Sequence, residues 1–297
     1  MKGIVLAGGT ATRLYPLTVV TNKHLLPLYD RPMIYYPLET LAGMGITEVL
    51  VILGGRSVGD IVELLGDGSQ FGFDLTYRYQ RGPLGIAHGI GLARKWVGRD
   101  DFCVVLGDNV LRGPALDGVA REFQQGVCGA GTLLYSVPDP ERFGVAELDS
   151  AGRVVRFEEK PTQPKSNLIP IGVYLLRPEV FGVIDRLKPS ARGEFEITDV
   201  LNHYIPRDGL YWHRYTGQWI DAGTVQSLLR AAELVEADAR SGKLVPPVLH
   251  TAPVKRARRA VANGHTNGNG HTNGNGHTNG NGHATGVIKQ TAAIEAV

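Results

Sequence analysis

The stretch that decides the fold is KGIVLAGG, residues 2–9 of the chain. A short, mostly apolar run that ends in two glycines is typical of a buried strand followed by a tight turn. Strand-length apolar runs and segments with helical spacing then alternate: strands at 47–53, 75–79 and 102–106, and helices at 32–44, 58–65 and 85–96. This order predicts an α/β fold, with a Rossmann-like, mostly parallel sheet that carries helices on both faces.

The later part of the chain has a different pattern. Four strand-like segments follow one another with short gaps, which is typical of antiparallel pairing. They lie at 132–137, 145–148, 154–158 and 171–176, and helices are predicted at 178–187, 196–204 and 224–239. We therefore expect a small antiparallel portion added to the parallel sheet.

Composition is ordinary for a globular protein. The chain has 297 residues, of which 43% are hydrophobic and 20% charged, so one large domain or two modest ones would fit. No stretch reaches the roughly 18 apolar residues that span a bilayer, and the first apolar run is too short for a signal peptide. We therefore expect a soluble, cytoplasmic protein without a membrane partner. Cys103 lies in an apolar run and Cys128 is far from it, which predicts neither a disulfide framework nor a zinc site.

Charge and complexity change near residue 250. Residues 255–297 carry a net charge of +4, whereas the first 254 carry −2, so the body of the protein is not predicted to bind nucleic acid. From residue 263 the sequence NGHTNG recurs, with His265, His271 and His277 at a spacing of six. Such a segment has almost nothing to bury, so we predict a disordered tail at 246–297. Metal chelation by its histidines and an anionic partner for the basic cluster at 255–259 are the alternatives.

A glycine-rich loop follows the first predicted strand. Residues 6–14, LAGGTATRL, lie at the carboxyl end of that strand, where ligands bind in open α/β sheets. Glycines allow backbone N–H groups to approach phosphate oxygens, and Arg13 supplies a planar, permanently charged guanidinium. The segment has neither the pattern of a P-loop nor that of a dinucleotide loop. By itself it fits a phosphate-binding loop and a purely structural turn equally well.

Three more charged residues lie at the ends of predicted elements. Lys23 precedes an apolar turn, Asp108 follows the strand at 102–106, and Asp221 precedes a helix that Thr224 could cap. An acid directly after a buried strand is suited to hold Mg²⁺ in a nucleotide enzyme. The alternatives are a plain surface charge for Lys23 and a simple helix start around Asp221.

Together, these motifs resemble those of the sugar-phosphate nucleotidylyltransferase family, in order, over about residues 1–240. The matching segments are GGTATRL (8–14), NKHLLP (22–27), YDRPMIYYPL (29–38), LGDGS (65–69), GDN (107–109), DPERFGV (139–145), EKP (159–161), PKSN (164–167), KPSARGE (188–194), EITD (196–199) and WIDAGT (219–224). The resemblance implies a catalytic domain, placed at residues 1–245, whose antiparallel portion binds a sugar. It also implies a homo-oligomer.

The resemblance implies that a nucleoside triphosphate reacts with a sugar 1-phosphate and releases pyrophosphate. Both substrates are anions, and two unit charges about 4 Å apart repel by roughly 4 kcal/mol at an effective dielectric near 20. Cationic groups must therefore bring them together. By similarity, Lys23 binds the α-phosphate, Asp108 and Asp221 bind a Mg²⁺ cofactor, and the loop formed by Gly8, Gly9, Thr10, Ala11, Thr12 and Arg13 holds the triphosphate.

The remaining site residues also follow from the resemblance. Lys160 and Arg192 are implied to bind the sugar's phosphate, and Gln80 and Gly85 the pyrimidine. The Gln80 amide offers the donor and acceptor that a pyrimidine edge needs; the alternative is an exposed glutamine at a strand end. The sugar pocket is implied to comprise Asn109, Gly144, Glu159 and the backbone near Val173.

Four residues depart from the usual family pattern: Ala11 for Gly, His24 and His88 for Gln, and Phe143 for Tyr. If position 11 needs a positive φ, alanine there costs of the order of 1 kcal/mol. His24 is predicted to contact the nucleotide, and His88 to be a helix residue near the pocket. We expect these changes to affect the choice of nucleotide and sugar more than the reaction class.

The favoured hypothesis is an enzyme that makes dTDP-glucose from dTTP and glucose 1-phosphate, for deoxysugar biosynthesis. A close alternative uses UTP or another hexose 1-phosphate, because thymine and uracil differ by one methyl group, worth about 1 kcal/mol of burial. A different class is a sugar-nucleotide-binding paralogue without activity. Retention of Arg13, Lys23, Asp108 and Asp221 argues against that class. Feedback control is not expected, since the chain leaves no room for added regulatory helices before its low-complexity tail.

Overall fold

The central strand of the protein is the apolar run at residues 2–7. In the computed structural model, which describes residues 1–9, 11–207 and 209–241, this run is fully flanked by other strands. The strands, numbered in chain order, are β1 (Lys2–Ala7), β2 (Pro27–Leu28), β3 (Arg31–Pro32), β4 (Glu48–Leu53), β5 (Asp74–Tyr79), β6 (Phe102–Leu106), β7 (Asn109–Arg112), β8 (Ala130–Ser136), β9 (Gly144–Leu148), β10 (Val154–Glu159), β11 (Leu168–Leu176), β12 (Leu210–Arg214) and β13 (Gln218–Asp221). The helices are α1 (Tyr35–Gly43), α2 (Val58–Leu65), α3 (Ile86–Gly91), α4 (Arg94–Val97), α5 (Asp117–Gln125), α6 (Val180–Ile184), α7 (Ile197–Tyr204) and α8 (Val225–Arg240).

Seven strands form one mixed sheet in the order β12-β8-β11-β6-β1-β4-β5. β1 pairs in parallel with β4 and β6, and β5 pairs in parallel with β4. Only β11 runs antiparallel within this sheet, between β6 and β8. The predicted α/β class is therefore confirmed.

Helices cover both faces because successive side chains of a strand point to opposite sides. Ile4 packs in a cluster with residues of α3, α4, α6 and α7. Val5 and Ala7 pack in a second cluster, with residues of α1, α2 and α5. A third, smaller cluster joins α8 to β2 and β7. Cys103 lies fully buried in the second cluster, as its apolar run predicts.

The predicted antiparallel portion is divided between two sheets. β9 and β10 form a separate two-stranded sheet, whereas β8 and β11 belong to the main sheet. All nine residues of β11 are buried, so this strand has no polar face to expose and takes a central position. The helix predicted at 85–96 is divided into α3 and α4, in a segment where Gly89 and Gly91 weaken helix formation.

Two short ribbons and one edge strand were not predicted from the sequence. β7 pairs with β13, β2 pairs with β3, and β12 extends the main sheet beside β8. None of the helices in the described residues is long and apolar enough to cross a membrane. The predicted tail at 246–297 lies outside the described residues, so its boundary and disorder stay predictions.

Candidate active site

In the loop after β1, two of the described residues have positive φ angles. Gly9 has φ +100° and Ala11 has φ +51°, so position 11 is in the left-handed region. A single 3₁₀ turn, Thr12–Leu14, follows and is closed by the Leu14 N–H, which donates to the Ala11 carbonyl at 3.0 Å. Leu14 is fully buried, whereas the Arg13 side chain is 57% exposed. The loop is thus anchored at its end and presents Arg13 at the edge of the sheet; Thr10 lies outside the described residues.

Lys23 lies in a second 3₁₀ turn, Lys23–Leu25, which Asn22 fixes. The Asn22 side chain accepts from the His24 N–H at 3.1 Å and donates to the carbonyls of Gly54 and Arg56, each at 3.0 Å. These bonds tie the turn to the loop after β4. Lys23 is thereby held inside the site, where its Nζ donates to Asp108 Oδ2 at 2.6 Å.

His24 is 1% exposed and lies under this turn. Its Nδ1 is 2.7 Å from the Asn22 Oδ1, and its other edge packs on Gly107, where a Cβ would come within 2.6 Å of the ring. Burial and the adjacent Lys23 lower the pKa of His24 to about 3, so the ring is neutral. The sequence predicts direct contact between His24 and the nucleotide. Because the ring is enclosed by protein, we expect it to act on nucleotide binding through the position of Lys23.

The two acids approach each other through the ribbon of β7 and β13. Asp108 immediately precedes β7, and Asp221 lies opposite Asn109 in the antiparallel register. The Ala222 N–H donates to the Asp108 carbonyl at 2.8 Å, which extends the pairing beyond Asp221. Arg13 Nη2 lies 3.8 Å from Asp221 Oδ2. The structure therefore brings Arg13, Lys23, Asp108 and Asp221 into one cluster.

The two carboxyl groups have opposite pKa shifts. Burial by itself would raise the pKa of Asp108, but Lys23 and the Asn109 amide hold it well below its usual range. Burial and the negative charge of Asp108 raise the pKa of Asp221 to about 6. Asp108 is consequently neutralised by its lysine, whereas Asp221 lacks equal compensation.

This donor set suits Mg²⁺. Carboxylate oxygens are its preferred protein ligands, and it is commonly held by one or two of them together with substrate phosphates. In the residues that the structure describes, no group of three or more His, Cys, Asp or Glu side chains could hold a metal. Asp108 and Asp221 would therefore supply the protein's share of the coordination, and a cation there would relieve the repulsion that raises the Asp221 pKa.

Asn109 locks this arrangement in place. Its Oδ1 accepts from the Trp219 indole at 2.6 Å and from the Gly172 N–H at 3.1 Å, while its Nδ2 donates to Asp108 Oδ1 at 3.1 Å. A Cβ at position 172 would lie 2.6 Å from the Asn109 Oδ1, so glycine is needed there. Asn109 thus joins β7, β11 and β13 behind the reacting groups.

A cavity of about 210 Å³ opens in front of this cluster. Of the residues predicted from the sequence, it is lined by Arg13, Asp108, Asn109, Gly144, Glu159, Lys160, Arg192 and Asp221. Val173 is fully buried and its side chain packs in the core, but its neighbours Gly172 and Tyr174 line the cavity. The backbone near Val173 therefore reaches the predicted pocket and the Val173 side chain does not.

Arg192 is surrounded by three carboxylates. Its guanidinium lies 3.0 Å from Glu159, 3.0 Å from Glu194 and 3.5 Å from Glu196. Burial and the neighbouring Glu196 raise the pKa of Glu159, while Thr198 donates to its other oxygen at 3.3 Å. These acids hold the Arg192 guanidinium at the wall of the cavity. The exposed Lys160, whose backbone has φ +44°, lines the same cavity.

Gln80 and Gly85 lie on the other side of the loop after β1. A Cβ at Gly8 would come 2.7 Å from the Gln80 Oε1, so the amide lies directly against that loop. Gly85 has φ +98°, and a Cβ there would be 2.5 Å from the Phe195 carbonyl oxygen. Only glycine at position 85 tolerates this positive φ and also leaves space for the Phe195 carbonyl.

Some cavity residues were not predicted as site residues. They include Arg142, Gly172, Tyr174, Glu196, Thr198 and Trp219. Arg142 and Trp219 are in segments that carry the family resemblance, so their motifs were a usable signal. The positive charge of Arg142 also acts on Asp221, whose pKa it lowers.

Comparison with known proteins identifies the family. The nucleotidyl transferase family matches residues 2–238. The chain belongs to this family. It is thus a nucleotidyltransferase, and the predicted class of enzyme is confirmed.

Three relatives of this nucleotidyltransferase show how closely it matches. The low-salt glycan biosynthesis nucleotidyltransferase Agl11 of Haloferax volcanii is 43% identical over 240 residues, which is 80% of this chain and 67% of that protein. The glucose-1-phosphate thymidylyltransferase of Neisseria meningitidis is 42% identical over 239 residues, 80% of this chain and 83% of that one. A Bacillus anthracis protein assigned as a glucose-1-phosphate thymidylyltransferase, solved with sucrose, has a TM-score of 0.75 and 48% identity, and the match covers 79% of this chain and 94% of that one.

Proposed function

We propose that this nucleotidyltransferase converts dTTP and glucose 1-phosphate to dTDP-glucose and pyrophosphate, with Mg²⁺, as a supply step for deoxysugar biosynthesis. The observation that carries the proposal is the cluster in which Lys23 contacts Asp108 and Arg13 approaches Asp221. The names of the Neisseria meningitidis and Bacillus anthracis relatives support the choice of substrates.

The chemistry is the attack of one phosphate on another. An oxygen of the sugar phosphate forms a bond to the α-phosphorus, and the bond from that phosphorus to the bridging oxygen of the β-phosphate breaks, so that pyrophosphate leaves. The second ionisation of a phosphate monoester has a pKa near 6, so the nucleophile is already an anion at neutral pH. No general base is required, and the residues have to position and neutralise the two substrates.

Cationic side chains surround the site of this attack. Lys23 lies deepest, with 14% of its side chain exposed, and would stabilise negative charge that develops at the α-phosphate. Arg13, on the loop after β1, would bind the triphosphate, and Arg192 with Lys160, which line the same cavity, would bind the sugar's phosphate. Mg²⁺ held by Asp108 and Asp221 would supply further positive charge to the phosphate oxygens.

The sugar and the base are recognised in separate places. Glu159 and the Gly144 backbone would accept and donate hydrogen bonds to the sugar hydroxyls, and Gln80 with Gly85 would bind the pyrimidine. A Cβ at position 144 would lie 2.5 Å from Thr198 Cγ2, so a side chain at this position would clash with Thr198.

Pyrophosphate release tests the proposal. Purified protein is given dTTP, UTP, dCTP and ATP in turn with glucose 1-phosphate and other hexose 1-phosphates, with Mg²⁺ and with EDTA. We expect turnover with dTTP and glucose 1-phosphate that EDTA abolishes. A preference for UTP or another sugar would replace the substrate assignment, an alternative left open by the H. volcanii relative, whose name specifies neither base nor sugar. Nucleotide binding without any pyrophosphate release would point to a non-catalytic paralogue.

The homo-oligomer implied by the resemblance and the cytoplasmic location expected from the sequence remain predictions. Light scattering of the purified protein after gel filtration tests the first. Fractionation of the source cells tests the second.

A further inference from the structure

The loop at residues 190–194, which carries Arg192, is closed by its own backbone. The Ser190 N–H donates to the Glu194 carbonyl at 2.8 Å, and the Gly193 N–H donates to the Ser190 carbonyl at 2.8 Å. Gly193 has φ +73°, a conformation that residues with a Cβ rarely adopt. Because these bonds lie within the loop, they set its shape and not its place beside the cavity.

The Ser190 hydroxyl joins this loop to the start of α7. Its Oγ accepts from the Arg192 N–H at 3.2 Å and donates to Glu196 Oε1 at 2.7 Å. A hydroxyl has one proton and two acceptor sites, so both bonds form at the same time. Glu196 directly precedes α7 and is buried. One hydroxyl therefore connects the main chain at Arg192 to a buried carboxylate.

The same carboxyl oxygen also faces the other end of Arg192. Arg192 Nη1 lies 3.5 Å from Glu196 Oε1. Among the three acids around this guanidinium, Glu196 has the least exposed side chain, at 9%, against 25% for Glu159 and 32% for Glu194. Glu196 thus acts on the Arg192 main chain through Ser190 and on the guanidinium directly.

On this geometry, and resting on the proposed function for the role of Arg192, we propose that Ser190 is a positioning residue for the sugar 1-phosphate. Ser190 does not line the cavity, whereas Arg192 and Glu196 do. Its hydroxyl holds the Arg192 main chain against Glu196, so the guanidinium lies at the cavity wall before the phosphate arrives. A long side chain that is ordered in advance loses less conformational freedom on binding.

This positioning concerns one substrate only. Arg192 and Lys160 would bind the sugar's phosphate, whereas Arg13 and Lys23 would bind the triphosphate. Loss of the Ser190 hydroxyl should therefore weaken binding of the sugar 1-phosphate and leave dTTP binding unchanged. Since the contact with the sugar's phosphate is present in the ground state and in the transition state, its loss raises KM with little change in kcat.

Matched substitutions isolate the hydroxyl. S190A removes it and keeps both backbone bonds of the loop, R192A removes the guanidinium, and a double variant combines the two. The control is S150A, the same change at an exposed serine in the turn between β9 and β10. For each full chain, kcat and KM for glucose 1-phosphate are measured at saturating dTTP. Calorimetry gives the dissociation constants of dTTP and, with Mg²⁺ and the non-reacting α,β-methylene analogue of dTTP, of glucose 1-phosphate.

We expect S190A to raise KM about tenfold, which corresponds to about 1.4 kcal/mol, while S150A behaves like the wild type. The kcat of S190A and its dissociation constant for dTTP should stay within about twofold of the wild type. In the R192A background, we expect the serine change to lower kcat/KM by less than about twofold, because effects that act through one group do not add. A wild-type KM in S190A or in R192A, or an equal loss from S190A in both backgrounds, would overturn the inference.

Calorimetry separates this inference from the proposed function. If the wild type releases no pyrophosphate but binds glucose 1-phosphate with the same dependence on Ser190 and Arg192, the proposed function is contradicted and the inference is supported. If the wild type turns over and S190A binds glucose 1-phosphate as tightly as the wild type, the inference is overturned and the proposed function is not.

Discussion

At the scale of single residues, two neighbouring carboxyl groups of the site differ in how their charge is compensated. Asp108 has Lys23 at 2.6 Å, while the Arg13 guanidinium lies 3.8 Å from Asp221, which also faces the charge of Asp108. The charge of Asp221 is thus less closely compensated than that of Asp108. Such an arrangement lowers the stability of the metal-free protein and favours cation binding.

The raised pKa of Asp221 has a defined effect on stability. The value is about 6 in the folded protein and near 3.9 in an unfolded chain, so the folded state binds this proton more tightly. The group therefore reduces stability progressively as pH rises from about 4 to 6. We expect D221N to stabilise the protein in EDTA at pH 7.5 by the order of 1–2 kcal/mol, with a smaller gain at pH 4.5 and loss of turnover.

Urea unfolding at the two pH values checks this expectation. D74N, at an exposed aspartate at the start of β5, is the control and should change neither curve appreciably. The expectation would be contradicted if D221N did not raise the free energy of unfolding, or raised it equally at both pH values.

Lys23 should contribute mainly to catalysis. Removal of one preorganised donor at a developing charge typically lowers kcat by 10²- to 10³-fold. We expect K23M to lose at least about 100-fold in kcat in the pyrophosphate assay, whereas K95M, at an exposed lysine on α4, keeps wild-type turnover. A K23M enzyme with more than about a tenth of the wild-type kcat would exclude Lys23 from the role described.

Ala11, which stands where the family usually has glycine, has a positive φ angle, so the alanine is expected to cost energy. Its φ of +51° is in the left-handed region, where a residue with a Cβ is disfavoured by roughly 1 kcal/mol. We expect A11G to raise the free energy of unfolding by up to about 1 kcal/mol. A237G, an exposed position in α8, should lower it by a similar amount. Chemical denaturation that shows the same sign for both variants would refute this account.

At the scale of elements, the C-terminal helix begins directly after the ribbon that carries Asp221. Thr224 caps α8: its hydroxyl accepts from the Ser227 N–H at 3.2 Å, and the Thr224 N–H donates to the Ser227 hydroxyl at 3.0 Å. The cap was predicted from the sequence as an alternative role for this segment. The structure shows that the two roles coexist. Asp221 ends β13, and Thr224 follows three residues later and caps α8.

Loss of this cap should affect stability and the site together. We expect T224A to destabilise the protein by about 1 kcal/mol and to raise the Mg²⁺ concentration needed for half-maximal turnover. T216A, at an exposed threonine in the turn between β12 and β13, is the comparison. If thermal melts show T224A to be as stable as T216A, the cap contributes nothing measurable.

The sequence predicts the elements of the parallel sheet better than the pairing of short strands. Apolar runs such as residues 2–7 and 102–106 have no alternative to burial, so their strands are found where expected. β7 and β13 are only four residues each and lie far apart in the chain, so no local pattern joins them. The same limit explains the site: the motifs identify Asp108 and Asp221, but only the ribbon register brings them together. The burial of His24 and its bonds to Asn22 likewise depend on tertiary packing.

At the scale of the whole molecule, the described residues contain all the predicted site residues except Thr10. They belong to one compact unit, and the family match ends at residue 238. We therefore expect a chain that lacks residues 251–297 to retain pyrophosphate release within about twofold of the full chain, since it loses no cavity residue. A large drop in kcat with an unchanged melting temperature would show that the tail takes part in turnover.

The ribbon of β7 and β13 also sets when the enzyme becomes competent during its own synthesis. Ribosomes build chains from the amino terminus, so Lys23 and Asp108 leave the exit tunnel long before Asp221 has been translated. A nascent polypeptide that stops short of residue 218 cannot form β13 and lacks the second acid. We therefore expect prematurely released fragments to be catalytically silent and not to consume nucleotide.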